Sequence, residues 1–238
     1  EAFDEELKSE RDLPNVVVET IRKTAALEHT VPMDTLRTAV SMLAHLDPDC
    51  QDTSEEANLR KAKRITAKIP TIIGHMQNVI DGREIVPPRK DLSHAGNVLY
   101  MMFGEEQPEQ YARVMDVSLI LYAEHEFNAS TFTSRVICST LSDMHGAVTG
   151  AIAALKGPLH GGANEKAMEM INEVGSVENV EPFMRKAFEE KRKIMGFGHR
   201  VYKEGDHRAP ILQAHGRKIA ESKGPDALKW FEIGEAIE

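Results

Sequence analysis

SRVICSTLSDMHGAVTGAIAALKGPLHGGANE, residues 134–165, decides how this chain folds. From Ser134 to Leu155 the residues Ser139, Ser142, Gly146, Gly150 and Ala154 recur at helical spacing on one side, where small side chains let another helix backbone approach closely. One central packed helix is expected here, at a subunit interface. Gly157-Pro158 ends it, because proline lacks the N–H that the ladder needs and restricts the residue before it. An amphipathic helix follows from about Asn164 through Ala167, Met168 and Ile171. The order helix, glycine-rich break, helix leaves His160 between glycines at the head of the second helix.

The same periodicity extends in both directions. Pro32-Met33-Asp34 precedes Leu36, Ala39, Val40 and Leu43, which fall on one helical face. Ser54-Glu55-Glu56 opens a polar helix that turns apolar by Ile65, and Pro70 is read as the start of another that ends near Gly82. Pro87-Pro88 is a break, Leu92 to Phe103 a short helix, and Gln107-Pro108-Glu109 the start of the next. That helix carries Val114, Ser118, Leu121 and His125 on one face. Val180 to Lys193 forms a further helix, closed by Gly196. No alternating β-branched run bounded by hairpin turns occurs, so the class is all-α. A domain boundary is expected just after His160, dividing residues 1–160 from 161–238.

With 238 residues, 41% hydrophobic and 28% charged, the chain has the composition of a packed globular protein near the size at which one core gives way to two. Its net charge of −9 argues against nucleic acid as a partner. One segment differs: Arg185, Lys186, Lys191, Arg192, Lys193 and Arg200 face only Glu189 and Glu190, which suits either an anion site or a solvated helix face. Cys50 and Cys138 are the two cysteines, too few for a disulfide framework, and a reducing cytoplasm fits. The most apolar run, Val136 to Leu155, is interrupted by Asp143 and His145, so a buried helix is expected rather than a membrane span. The chain starts at Glu1 rather than Met, and Trp230-Phe231-Glu232-Ile233 runs into its last residues, so both ends are read as cut.

Two histidines between glycines are the candidates for chemistry. The positive end of the helix dipole disfavours charge on His160, which would let a neutral ring donate to a developing enolate; a capping or core role is the alternative. His199 follows Gly196-Phe197-Gly198, where glycines permit close contact between backbone and ligand. The pattern is not a dinucleotide fingerprint, since no strand precedes it. Lys191-Arg192-Lys193 suits phosphates or the C-terminal end of its own helix, and Arg208 suits a carboxylate held in a bidentate fork. His199, His207 and His215 are eight positions apart, not the three or four that a helical metal pair needs, so no metal site is expected.

Gly157 to Glu165, Lys193 to Tyr202 and His125-Glu126-Phe127-Asn128-Ala129-Ser130-Thr131 together closely resemble the citrate synthases, including the bacterial 2-methylcitrate synthases. Asp91-Leu92-Ser93-His94-Ala95-Gly96-Asn97 and Pro32 to Arg37 support the resemblance, which runs from Arg11 to Ile219. It implies an all-α homodimer whose large and small domains close over oxaloacetate and an acyl-CoA, with the thioester a substrate and no cofactor. By motif, His160 would stabilise the enol of acetyl-CoA and His199 would protonate the oxaloacetate carbonyl. His125 and Arg208 would bind oxaloacetate, while Lys193, Ile194, Met195, Gly196 and Phe197 would recognise coenzyme A through backbone groups. The family's base is an aspartate in an Asn-Val-Asp motif after the position of Arg208, and this chain contains none there. Asn179-Val180-Glu181 precedes His199 and is read as a helix start. These 238 residues alone are therefore expected to be inactive. A non-catalytic acyl-CoA-binding or dimerisation module is the alternative. Acetyl and propionyl thioesters differ by one methylene, worth about 1–3 kcal/mol, and the preference leans slightly to acetyl.

Overall fold

A computed structural model describes residues 2–123, 128–197 and 205–238. Among them no β-strand occurs, and the helices fall into two compact units, Glu1–Lys156 and Gly157–Glu238. Among the described residues no helix is long and apolar enough to cross a membrane.

The first unit contains α1 (Ala2–Ser9), α2 (Asn15–Ala25), α3 (Pro32–Leu43), α4 (Glu55–Ile80), α5 (His94–Phe103), α6 (Glu109–Tyr122), α7 (Ala129–Ser139) and α8 (Met144–Leu155). Its core gathers Val17, Ile21 and Ala25 of α2, Leu36, Ala39, Val40 and Leu43 of α3, Ile72 and Met76 of α4, and Ile152 of α8. Spacings of three and four put each set on one helical stripe, and each large aliphatic side chain so buried contributes about 1.5–3 kcal/mol. The Pro87-Pro88 segment is held by buried asparagines. Asn78 donates to the Met101 carbonyl at 2.9 Å and accepts from the Val86 N–H at 2.8 Å, and Asn97 accepts from the Arg89 N–H at 2.7 Å.

Two sequence expectations change in this unit. Pro70 does not start a helix but lies inside α4. Proline within a helix costs about 3 kcal/mol through its missing N–H and its clash with the preceding turn. On either side of it α4 buries Ile65, Ala67, Ile72 and Met76, while Lys68 donates to the Glu10 carbonyl at 2.7 Å and Thr71 to the Arg11 carbonyl at 2.8 Å. That burial outweighs the break.

The expected helix from Ser134 to Leu155 is instead the pair α7 and α8. Leu141, at φ 61°, lies in the left-handed region and its N–H donates to the Cys138 carbonyl, ending α7. Asp143 then caps α8 by accepting from the Gly146 N–H at 2.9 Å. The close approach read from the small residues is real but lies between these two helices: a Cβ on Gly150 would come 2.3 Å from Ile137 Cδ1.

The second unit holds α9 (Ala163–Val174), a 3-10 turn (Val177–Asn179), α10 (Val180–Glu189), α11 (Ala209–Lys223) and α12 (Pro225–Ile237). Met170 and Val174 of α9, Val180 of α10, and Ile233 and Ile237 of α12 form its core. Lys191 closes α10, earlier than the expected Gly196. At φ 54° it donates to the Phe188 carbonyl, and Arg192 donates to that of Ala187, the paired bonds of a left-handed helix ending.

Candidate active site

His160 stands where the sequence put it, in a tight turn directly before α9. Its N–H and that of Gly162 both donate to the Gly157 carbonyl, at 2.9 and 3.2 Å, and its own carbonyl accepts from the Ala163 N–H at 3.1 Å. Gly162 precedes α9 without a side-chain cap. These backbone bonds set the turn, and the half-buried His160 stands beside the positive end of the α9 dipole.

The segment Lys193 to Phe197 runs along α9. Ile194 and Phe197 pack on the core made partly by Met170 and Val174, while Lys193 and Gly196 are exposed. Gly196 has φ 84°, and a Cβ there would lie 2.7 Å from the Cβ of Ala167. No other residue type fits without displacing the loop. Ala167 is one helical turn, about 6 Å, beyond the start of α9. The loop and the His160 turn are therefore both anchored to the first turns of one helix.

The basic segment is less bare than the sequence implied. Arg185 pairs with Glu181, and Arg192 makes a bidentate pair with Glu173 of α9 at 2.8 and 2.6 Å while stacking over Phe183. Glu173 is held below the usual carboxylate range by hydrogen bonding to Arg192. Lys193 is exposed and forms no ion pair among the described residues.

Arg208, just before α11, already holds a carboxylate in its fork. Its Nε donates to Asp206 Oδ1 at 2.9 Å and its Nη2 to Oδ2 at 2.6 Å, while Asp206 Oδ1 also accepts the Arg208 N–H at 2.9 Å. Bidentate geometry was foreseen for Arg208, but Asp206 as its occupant was not. An aspartate two residues before an arginine that opens a helix is the local signal that points to it. His125 and His199, read as substrate-binding and catalytic, lie outside the described residues, as does Arg200.

These features define an all-helical chain of two units whose glycine-bounded histidine and glycine-bent loop share one helix. The whole chain, residues 1–238, matches the family described as "Citrate synthase, C-terminal domain". The chain belongs to that family. It is 45% identical over 238 residues to citrate synthase 2 of Bacillus subtilis, covering all of this chain and 63% of that protein. It is 43% identical over 238 residues to the 2-methylcitrate synthase of Shewanella oneidensis, covering 62% of it. Among solved structures, citrate synthase from Pyrobaculum aerophilum superposes with a TM-score of 0.91 at 40% identity, with all of this chain and 60% of that one covered. The citrate synthase of Thermoplasma acidophilum, in a ternary complex with carboxymethyl coenzyme A and oxaloacetate, gives a TM-score of 0.93 at 31% identity and 61% coverage. The chain thus spans less than two-thirds of the length of these relatives.

Proposed function

We propose that the protein to which this chain belongs condenses an acyl-CoA thioester, acetyl or propionyl, with oxaloacetate and hydrolyses the resulting thioester to a tricarboxylate and coenzyme A. The observation that carries this reading is the His160 turn at the head of α9, in a chain 45% identical to a citrate synthase. A ring at the positive end of a helix is placed to donate to the enolate oxygen that forms when the acyl α-carbon loses its proton. The loop Lys193, Ile194, Met195, Gly196 and Phe197 offers backbone groups and one free ammonium to the coenzyme. His125 and Arg208 are assigned to the oxaloacetate carboxylates and His199 to its carbonyl; substrate displaces Asp206 from the Arg208 fork. No cofactor takes part.

The reaction also needs a base for the α-proton, a contribution of about 10²–10⁴-fold. The full-length protein is expected to release coenzyme A when given oxaloacetate with acetyl-CoA or propionyl-CoA, and these 238 residues alone are expected not to. Detecting the free thiol in both preparations tests the two statements separately. No release by the full-length protein with either thioester would sink the assignment.

We also infer a homodimer in the cytoplasm. Neither α6 nor α7 buries a side chain, although Ile120, Phe132 and Val136 are apolar and at least half exposed, as expected of a face that another copy covers. Both cysteines are free thiols, in keeping with a reducing compartment. Sedimentation equilibrium is expected to give twice the chain mass; a monomer at micromolar concentration contradicts the dimer.

A further inference from the structure

Cys50, Asp143 and His145 meet in the first unit, and none of the three is assigned to condensation. Cys50 lies in the turn after α3, Asp143 caps α8, and His145 is in the first turn of α8. One ligand atom from each, Sγ, a carboxylate oxygen and a ring nitrogen, lies within 4.8 Å of the other two. The His145 side chain is 2% exposed, and its buried Nδ1 has no hydrogen-bond partner although it faces Asp143 Oδ1 at 3.9 Å. An orphaned polar atom in such a position calls for an explanation. Its other nitrogen, Nε2, faces Asp47 Oδ2 at 3.5 Å, and Arg64 holds Asp47 from behind at 2.9 and 2.6 Å. Metal-binding imidazoles are supported in this way, one nitrogen on the ion and the other on a carboxylate.

We propose that Cys50, Asp143 and His145 bind one divalent transition-metal ion, with zinc the best match to a thiolate, an imidazole and a carboxylate and with water as the fourth ligand. Tetrahedral zinc requires ligand atoms about 3.3–3.7 Å apart, so atoms that now lie within 4.8 Å of one another must close by at most about 1.5 Å. Space allows it. Asp143 Oδ1 is engaged by the Gly146 N–H, but its second oxygen lies where the lack of a side chain at Gly146 leaves room, since a Cβ there would come within 3.2 Å of it. Lys61 and Arg64 are the nearest cations; the Lys61 ammonium is turned to the Asp52 carbonyl, and the Arg64 charge is offset by Asp47 and Asp49. Burial, then the Asp143 and Asp47 carboxylates, raise the Cys50 thiol, so without metal the proton stays on sulfur. Binding breaks the S–H bond, the sulfur lone pair goes to the ion, and the proton passes to solvent.

Cobalt(II) serves as the spectroscopic probe. The chelator-treated chain is expected to bind one equivalent of Co²⁺ with a sulfur-to-cobalt charge-transfer band, to exchange it for Zn²⁺ with loss of the band, and to release one proton per ion. Cys50→Ser should remove the band and weaken zinc about 100-fold, and Asp47→Asn should weaken it about 10–100-fold while leaving the band in place. Absence of a charge-transfer band in the folded wild-type chain overturns the proposal without recourse to any variant. So does a band that survives in a Cys50→Ser chain whose circular dichroism is unchanged, because sulfur ligation would then lie elsewhere.

Discussion

Replacing His160 with alanine in the full-length protein is expected to lower the rate of coenzyme A release by roughly 10²–10³-fold, the loss typical of removing one donor aimed at a developing oxyanion. The KM for oxaloacetate should change little, because the histidine acts on the thioester partner. The turn itself should persist through the backbone bonds accepted by the carbonyls of Gly157 and His160. His160→Gln keeps an N–H donor and should recover part of the loss. Steady-state kinetics with varied oxaloacetate, alongside circular dichroism of α9 and its neighbours, would decide the matter. Turnover within a few-fold of wild type in the alanine variant excludes a role in the chemical step.

Stability is expected to fall steeply in mild acid, and His75 carries most of the effect. Its ring lies in the buried face of α4, where neither nitrogen makes a well-formed hydrogen bond and the Val86 backbone offsets the burial only in part. Burial, reinforced by the positive charge of Arg22, pushes it down from 6.5 to about 4. The unfolded chain therefore binds a proton between pH 6.5 and about 4 that the folded chain refuses. This contribution is whole above pH 6.5, declines as pH falls, and is gone below about 4, a change of roughly 3 kcal/mol at 1.36 kcal/mol per unit. His94 and His145 are lowered chiefly by burial as well and act in the same direction. Denaturant melts from pH 7.5 to 4.5 should show the midpoint dropping with acid, and His75→Leu should flatten the curve. A midpoint independent of pH across that range would refute this account.

Much of the fold is local and was legible. The starts of α3, α6 and α9 follow from Pro32, Pro108 and the glycines before Ala163, because caps and breaks act within a few residues. The errors share one cause. A proline is a local signal to stop, yet α4 runs through Pro70 because Ile72 and Met76 find partners on α2, α3 and α8. Conversely, an unbroken helical pattern hid the turn at Leu141, where α7 folds back so that Ile137 can lie over Gly150. Neither outcome is visible to periodicity, since both depend on what the helix meets.

The candidate site divides in the same way. His160 before a helix and Gly196 in a bend could be read directly, because glycine and proline spacing reports backbone conformation without reference to the rest of the molecule. That Gly196 must be glycine because Ala167 of α9 presses on it, that Arg192 is bound to Glu173, and that Arg208 is held by Asp206 became visible only in three dimensions. Cysteine and histidine spacing along the chain gave no sign of a metal site, whereas packing brings Cys50 beside Asp143 and His145. By itself the sequence determined the helical class, the starts of α3, α6 and α9 and the two glycine-bounded histidines, since those rest on interactions within a few residues. Which helices run on, which charges are already paired and which distant ligands converge were decided only by the tertiary structure, because burial and side-chain contact join residues that the chain keeps far apart.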